Sequence, residues 1–119
     1  MASEIKASST NIYNLRVLAA SCEVNEILER VSKRWKMQIL HSISQEVNQF
    51  SLLKKTFPSL SDQVLGKRLA ELVMEGLVDK LLVENTCPYQ IIYRATEKGI
   101  ALLAIIHDLN QWGKKDWEK

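Results

Sequence analysis

With 119 residues, 46% hydrophobic and 25% charged, the chain has the size and balance of one folded domain, which excludes a disordered, collagen-like or fibrous protein. A net charge of +2 is too small to imply nucleic acid by itself, and no apolar run nears the roughly 18 residues of a membrane span. No basic start followed by an apolar stretch marks a secretory leader, so a cytoplasmic protein without membrane contact is expected.

Residues 1–11 are rich in Ser, Thr and small residues, lack a sustained apolar period, and read as a mobile arm. Ile12, Leu15, Val17 and Leu18 leave the next stretch open between a short helix and an extended segment lying on another subunit. The domain reading is therefore an arm or dimer-contacting segment at 1–20, a folded domain at 21–113 and a tail at 114–119. Val24, Ile27, Leu28 and Val31 recur at the i, i+3, i+4, i+7 spacing of one helix face, with Glu23, Glu26 and Glu29 on the others. A second helix starting near Trp35 carries Ile39, Leu40 and Ile43 on one side. Phe50, Leu53 and Phe57 mark a short third helix, which Ser51 is placed to cap and Pro58 to end.

The stretch from Ser59 to Gly76 reads as the helix around which the rest is organised. Leu65, Leu69 and Leu72 line one side, with Val73 widening the stripe, while Gln63, Lys67, Ala70 and Met74 fall opposite. Ser59 or Ser61 can cap its amino end, Asp62 suits the positive end of the helix dipole, and Gly76 suits the carboxyl end. One side packs and the other is offered to a partner. Between Arg30 and Arg68 lie eight basic residues (Arg30, Lys33, Arg34, Lys36, Lys54, Lys55, Lys67, Arg68) against Glu46 and Asp62, the concentration that phosphate attraction requires.

After Gly76 the pattern changes. Leu77 to Val83 and Ile91 to Ala95 are β-prone, and Glu84 to Gln90 between them contains Asn, Thr and Pro. Two strands and a turn directly after such a helix form the wing of a winged helix-turn-helix, so the fold class is mainly α with a small β-hairpin. Thr96 caps a last helix to about Gly113, whose Ile100, Leu102, Leu103, Ile105, Ile106, Leu109 and Trp112 are too many for one stripe. A helix apolar on more than one side wants more than one neighbour, so a symmetric homodimer through the first and last helices is expected. Such a dimer can place two reading helices in successive grooves of palindromic double-stranded DNA, about 34 Å apart.

The expected DNA contacts are Ser61, Gln63, Val64, Lys67 and Arg68 on the reading helix, Gln49, Lys54 and Lys55 beside it, and Asn85, Thr86, Gln90 and Arg94 on the wing. Ser61 also suits a cap, and Arg68 lies near the buried edge, where a packed arginine is as natural. Cys22 and Cys87 lack the paired spacing of a zinc site, so no metal or cofactor is expected. His41 and His107 sit in apolar helices without a catalytic partner and read as structural, and neither a glycine-rich phosphate loop nor a histidine-glutamate metal motif is present. No enzyme is indicated.

The ordered series Cys22, Trp35-Lys36, Ile39-Leu40, Phe50-Ser51-x-Leu53, Ser61-x-x-Val64-Leu65-x-x-x-Leu69-x-Glu71-Leu72, Glu75-Gly76-Leu77-Val78 and Tyr93-x-x-Thr96-Glu97-Lys98-Gly99 resembles the HxlR family of bacterial winged-helix transcription regulators, relatives of the MarR type. The resemblance spans roughly residues 20–113 and implies a homodimeric repressor or activator with the Ser61 helix reading DNA. It also implies an oxidant or small-molecule response, with Cys22 as the redox sensor, a role that suits a thiol near a helix amino end. Three positions depart from the family pattern: Glu23 follows Cys22 where proline is usual, Ser32-Lys33-Arg34 stands before Trp35 in place of a glycine pair and lysine, and Gln49 replaces a basic residue before Phe50. Two rival readings are a winged-helix module that binds a protein, and a dimer-core effector pocket with Trp35 or Trp112 in its wall.

Overall fold

The computed structural model describes residues 7–117, and these divide after Lys33 into two units. The first holds a single helix, α1 (Ala7–Val31), which starts well before the expected first helix and runs without a break through the expected boundary at 20/21. Ile12 to Ala20 is therefore helical, as are positions 7–11 of the expected arm; positions 1–6 lie outside the described residues. Val24, Ile27 and Leu28 are 51%, 50% and 47% exposed on α1, so the apolar stripe of this helix stays about half open.

The second unit opens at Arg34. Trp35 takes a left-handed backbone with φ 74° just before α2 (Lys36–Ser44). That conformation costs an L-residue about 1–2 kcal/mol. Packing offsets it: the ring stands edge-on to Phe57 with centroids 5.9 Å apart, and the Arg34 guanidinium lies 5.3 Å above it. Next comes α3 (Phe50–Thr56), and here the expected cap is wrong. Extended Gln49 occupies the cap position without a side-chain hydrogen bond, which leaves Ser51 inside the first turn, where its hydroxyl is exposed. The turn to α4 (Asp62–Met74) buries Leu60, and Ser61 then caps the helix by accepting the Val64 N–H at 3.1 Å. Gly76, at φ 73°, supplies the left-handed residue that stops it.

Strands β1 (Val78–Val83) and β2 (Gln90–Ala95) pair antiparallel, with Val78 opposite Ala95, Lys80 opposite Tyr93 and Leu82 opposite Ile91. The Tyr93 N–H donates to the Asn48 carbonyl at 2.9 Å, tying the hairpin to the segment before α3. Helix α5 (Glu97–Lys114) follows, and Thr96 does two things at its start. Its hydroxyl accepts the Gly99 N–H at 3.1 Å and donates to the Gly76 carbonyl at 2.6 Å, joining the end of the α4 turn to the start of α5. The core beneath is continuous: Ile39, Leu40 and Ile43 of α2, Leu53 of α3, Leu60, the three α4 leucines, Leu77, Val78 and Tyr93. Burial pushes the Tyr93 phenol above its ordinary value, so the ring stays neutral. Helix, turn, helix, hairpin and helix in this order are a winged helix-turn-helix. Among the described residues no helix is long and apolar enough to cross a membrane.

Gly99 is the tightest point of the α5 start. A Cβ there would stand 2.2 Å from the Leu77 carbonyl oxygen, which already accepts the Thr96 N–H at 3.0 Å. Backbone on both sides cannot retreat as a flexible side chain would. Gly99→Ala is expected to cost about 2–3 kcal/mol, seen in thermal unfolding as a midpoint lower by roughly 10–15 °C; an unchanged midpoint would contradict this packing.

Candidate nucleic-acid interface

Helix α4 has one side to bury and one to offer. Leu65, Leu69 and Leu72 are at most 2% exposed, whereas Gln63, Lys67, Ala70 and Met74 lie on the opposite side in the open. The Ser61 cap fixes where that outward side begins, since it sets the first turn and leaves Gln63 exposed at the amino end.

Charges hold the back edge of α4 in place. Lys36 is fully buried, and its Nζ donates to Glu75 Oε2 at 2.8 Å and lies 3.9 Å from Glu71 Oε1. Arg68 pairs with Glu71 at 3.2 Å and donates its Nε–H to the Arg34 carbonyl at 3.0 Å. Lys98, at the start of α5, donates to the Glu75 carbonyl at 2.8 Å. The segment before α2 and the starts of α2 and α5 thus meet on the last turns of α4.

Several residues expected at DNA are engaged within the protein. The Arg68 guanidinium faces Glu71 and Arg34, so protein occupies the group that was a candidate for DNA. Lys54 is similarly engaged: its Nζ donates to the Leu60 carbonyl and stands 3.3 Å from Asp62, bracing α3 against the turn. Val64 is half-buried against the core. Thr86 holds the wing turn together, donating to the Val83 carbonyl at 3.0 Å and accepting the Gln90 N–H at 3.2 Å. Three of the eight basic residues between Arg30 and Arg68, namely Lys36, Lys54 and Arg68, are spent on internal pairs, so less of that charge faces outward than its linear density suggests.

Ser61, Gln63, Lys67 and Lys55 remain exposed on the helix-turn-helix, with Gln49 half-buried at the start of α3. Asn85, Gln90 and Arg94 are exposed on the wing. Arg94 lies across from Asp79 and lines a crevice with Ile43, Asn48 and Ile100, on the hairpin face turned from α4. Lys80 was not among the sequence candidates, yet it lines the crevice beside Gly66, Ala70 and Met74 and so brings a cation alongside the outward face of α4. The period-two alternation of β1 held that signal, because Lys80 shares the face of Val78.

Cys22 is a free, exposed thiol on α1. It lies about four turns inside the helix, so the helix-end setting expected for it is absent; the cause is the early start of α1 at Ala7. His41 and His107, read as structural, are also exposed.

Known proteins share this arrangement. The HxlR-like helix-turn-helix family matches residues 30–119. YvaP of Bacillus subtilis, an uncharacterized HTH-type transcriptional regulator, is 37% identical over 82 residues, covering 69% of this chain and 75% of its own. YodB of the same organism, an HTH-type transcriptional regulator, is 33% identical over 82 residues, covering 69% and 72%. The reduced form of YodB superposes with a TM-score of 0.70 over 81% of this chain and 93% of that one, at 28% identity. The oxidized form of the redox regulator HypR, at 23% identity, has the same fold with a TM-score of 0.68, covering 82% of this chain and 100% of that one.

Proposed function

The chain belongs to the HxlR-like helix-turn-helix family, and on that premise we propose that it binds palindromic operator DNA as a symmetric dimer, with α4 of each copy in the major groove. It is a helix-turn-helix transcription regulator. The observation that carries the finer reading is the two-sidedness of α4: its inner face is sealed by leucines and its back edge pinned by Lys36 and Arg68, while Gln63 and Lys67 stand exposed and Lys80 lies beside Gly66, Ala70 and Met74. Glutamine can bond adenine through two atoms, and lysine can bond guanine or a phosphate. Lys55, Lys80 and the wing residues Asn85 and Gln90 are placed to supply backbone contacts, which give affinity without reading sequence.

A dimer is supported by the apolar surface that each end of the chain leaves open. On α5, Ile105, Leu109 and Trp112 are 62%, 53% and 61% exposed, and on α1 Val24, Ile27 and Leu28 are about half exposed. Soluble proteins rarely leave such stripes uncovered. An oxidant response through Cys22 fits its accessible thiol, and YodB has a solved reduced form.

The test is a duplex recovered by selection from random sequence, titrated by fluorescence anisotropy over a range of salt and weighed by sedimentation. Two chains per duplex and an affinity that falls linearly in log–log with salt are expected. If no duplex binds at low salt, the fold serves as a protein-interaction module instead.

A further inference from the structure

Of the chain's four glycines, three have a visible reason. Gly76 takes a left-handed backbone, Gly99 lies against the Leu77 carbonyl, and Gly113 stands in the last turn of α5, where the helix ends. Gly66 shares none of these: it lies in the second turn of α4, in helical conformation, and a Cβ added to it would meet nothing within 4 Å. Glycine loses more backbone freedom on folding than any other residue and weakens a helix interior relative to alanine. The fold by itself therefore gains nothing from it.

Gly66 opens onto a crevice of about 370 Å³ between α4 and the hairpin, with Leu69 and Val73 on one wall and Lys80 and Tyr93 on the other. No aspartate or glutamate lines it, and among the described residues Lys80 forms no ion pair. The crevice thus has open space on its helix wall and an unpaired cation across from it.

We propose that Gly66 is a positioning residue, which lets a sugar-phosphate strand of the operator seat between α4 and β1 deeply enough for Lys80 to meet its phosphate. This deepens the operator-binding reading above and rests on it. An α-helix with its side chains is about 10–12 Å across, and the major groove is about 12 Å wide. The fit leaves no slack, so the flanks of α4 press on the strands that wall the groove. With Gln63 and Lys67 toward the bases, Gly66 lies on the flank nearer the hairpin. A side chain at that position lifts the strand from the crevice, and from Lys80 with it.

The test sets stability against affinity in Gly66→Ala, using the full chain and the selected duplex. Because the added methyl meets nothing in the protein, the unfolding midpoint should rise by about 3–5 °C. Duplex affinity should fall by at least about tenfold, from one overpacked contact in each half-site. A merely structural role would move both in the same direction. Lys80→Ala and the double variant complete a cycle. Each single substitution should flatten log affinity against log salt by about two for the dimer, and the double variant no further than either, since both remove the same phosphate contact. The proposal is overturned if Gly66→Ala lowers the midpoint, if it binds as tightly as wild type, if its affinity falls with an unchanged salt slope, or if its effect and that of Lys80→Ala add. A wild type that binds no duplex removes the operator reading and this proposal together. A wild type that binds, weakens on Lys67→Ala and is indifferent to Gly66→Ala keeps the operator reading and removes this proposal alone.

Discussion

Lys36→Ala is expected to cost the folded chain about 3 kcal/mol, and Lys36→Met about 2 kcal/mol. The lysine is 0% exposed, while its partners Glu71 and Glu75 are 21% and 24% exposed at the side chain. Removing the cation leaves a new void with Glu75 stripped of its ion-pair partner and Glu71 held by Arg68 alone. Their partial access to water keeps the loss at the lower end of what broken buried pairs show. Methionine fills the same volume with an apolar chain but leaves the carboxylates without the cation, so only the share of the loss that comes from the void is recovered. Glu75→Gln, which keeps a hydrogen-bond acceptor for the lysine, should fall between. Urea unfolding of the three variants reads this directly; equal stability of Lys36→Ala and wild type would mean that the pair does not anchor α4.

Local pattern made much of this fold legible. The leucine stripe of α4, the caps at Ser61 and Thr96, the stop at Gly76 and the hairpin are all written within a few residues of where they act, and the structure places each as expected to within a residue or two. What stayed hidden depends on distant partners. Nothing near Lys36 announces that it will be buried, because the glutamate that receives it lies 39 residues on. Arg68 reads as a basic residue on a reading helix until the Arg34 carbonyl, 34 residues back, is brought beside it. His41 and His107 look isolated along the chain and line one cavity in the fold. The early start of α1 escaped for another reason: Ser8, Ser9, Thr10 and Asn11 are poor helix formers, and propensity alone argues against the helix they join.

The other large effect belongs to Lys67. On the outward side of α4, one turn after Gln63, its ammonium is exposed and lies on the same helix face. A lysine that meets a guanine edge or a phosphate is worth about 1–3 kcal/mol of binding, and a symmetric dimer makes the substitution twice. Lys67→Ala is therefore expected to weaken operator binding by about 2–6 kcal/mol, and Lys67→Glu by more, since it sets like charges together. Where the contact is to phosphate, each lysine also releases one counterion fewer, so the slope of log affinity against log salt should flatten by about two for the dimer. Met74 is 87% exposed but sits at the far end of α4, one turn beyond Ala70, and Met74→Ala should change binding by less than about 0.5 kcal/mol.

The direct measurement is the affinity of wild type, Lys67→Ala and Met74→Ala for the selected duplex, each taken across salt from low to moderate ionic strength. A steep wild-type line, a weaker and flatter one for Lys67→Ala, and near coincidence of Met74→Ala with wild type are the predicted result. Three coincident lines would contradict the placement of the α4 outer face in the groove.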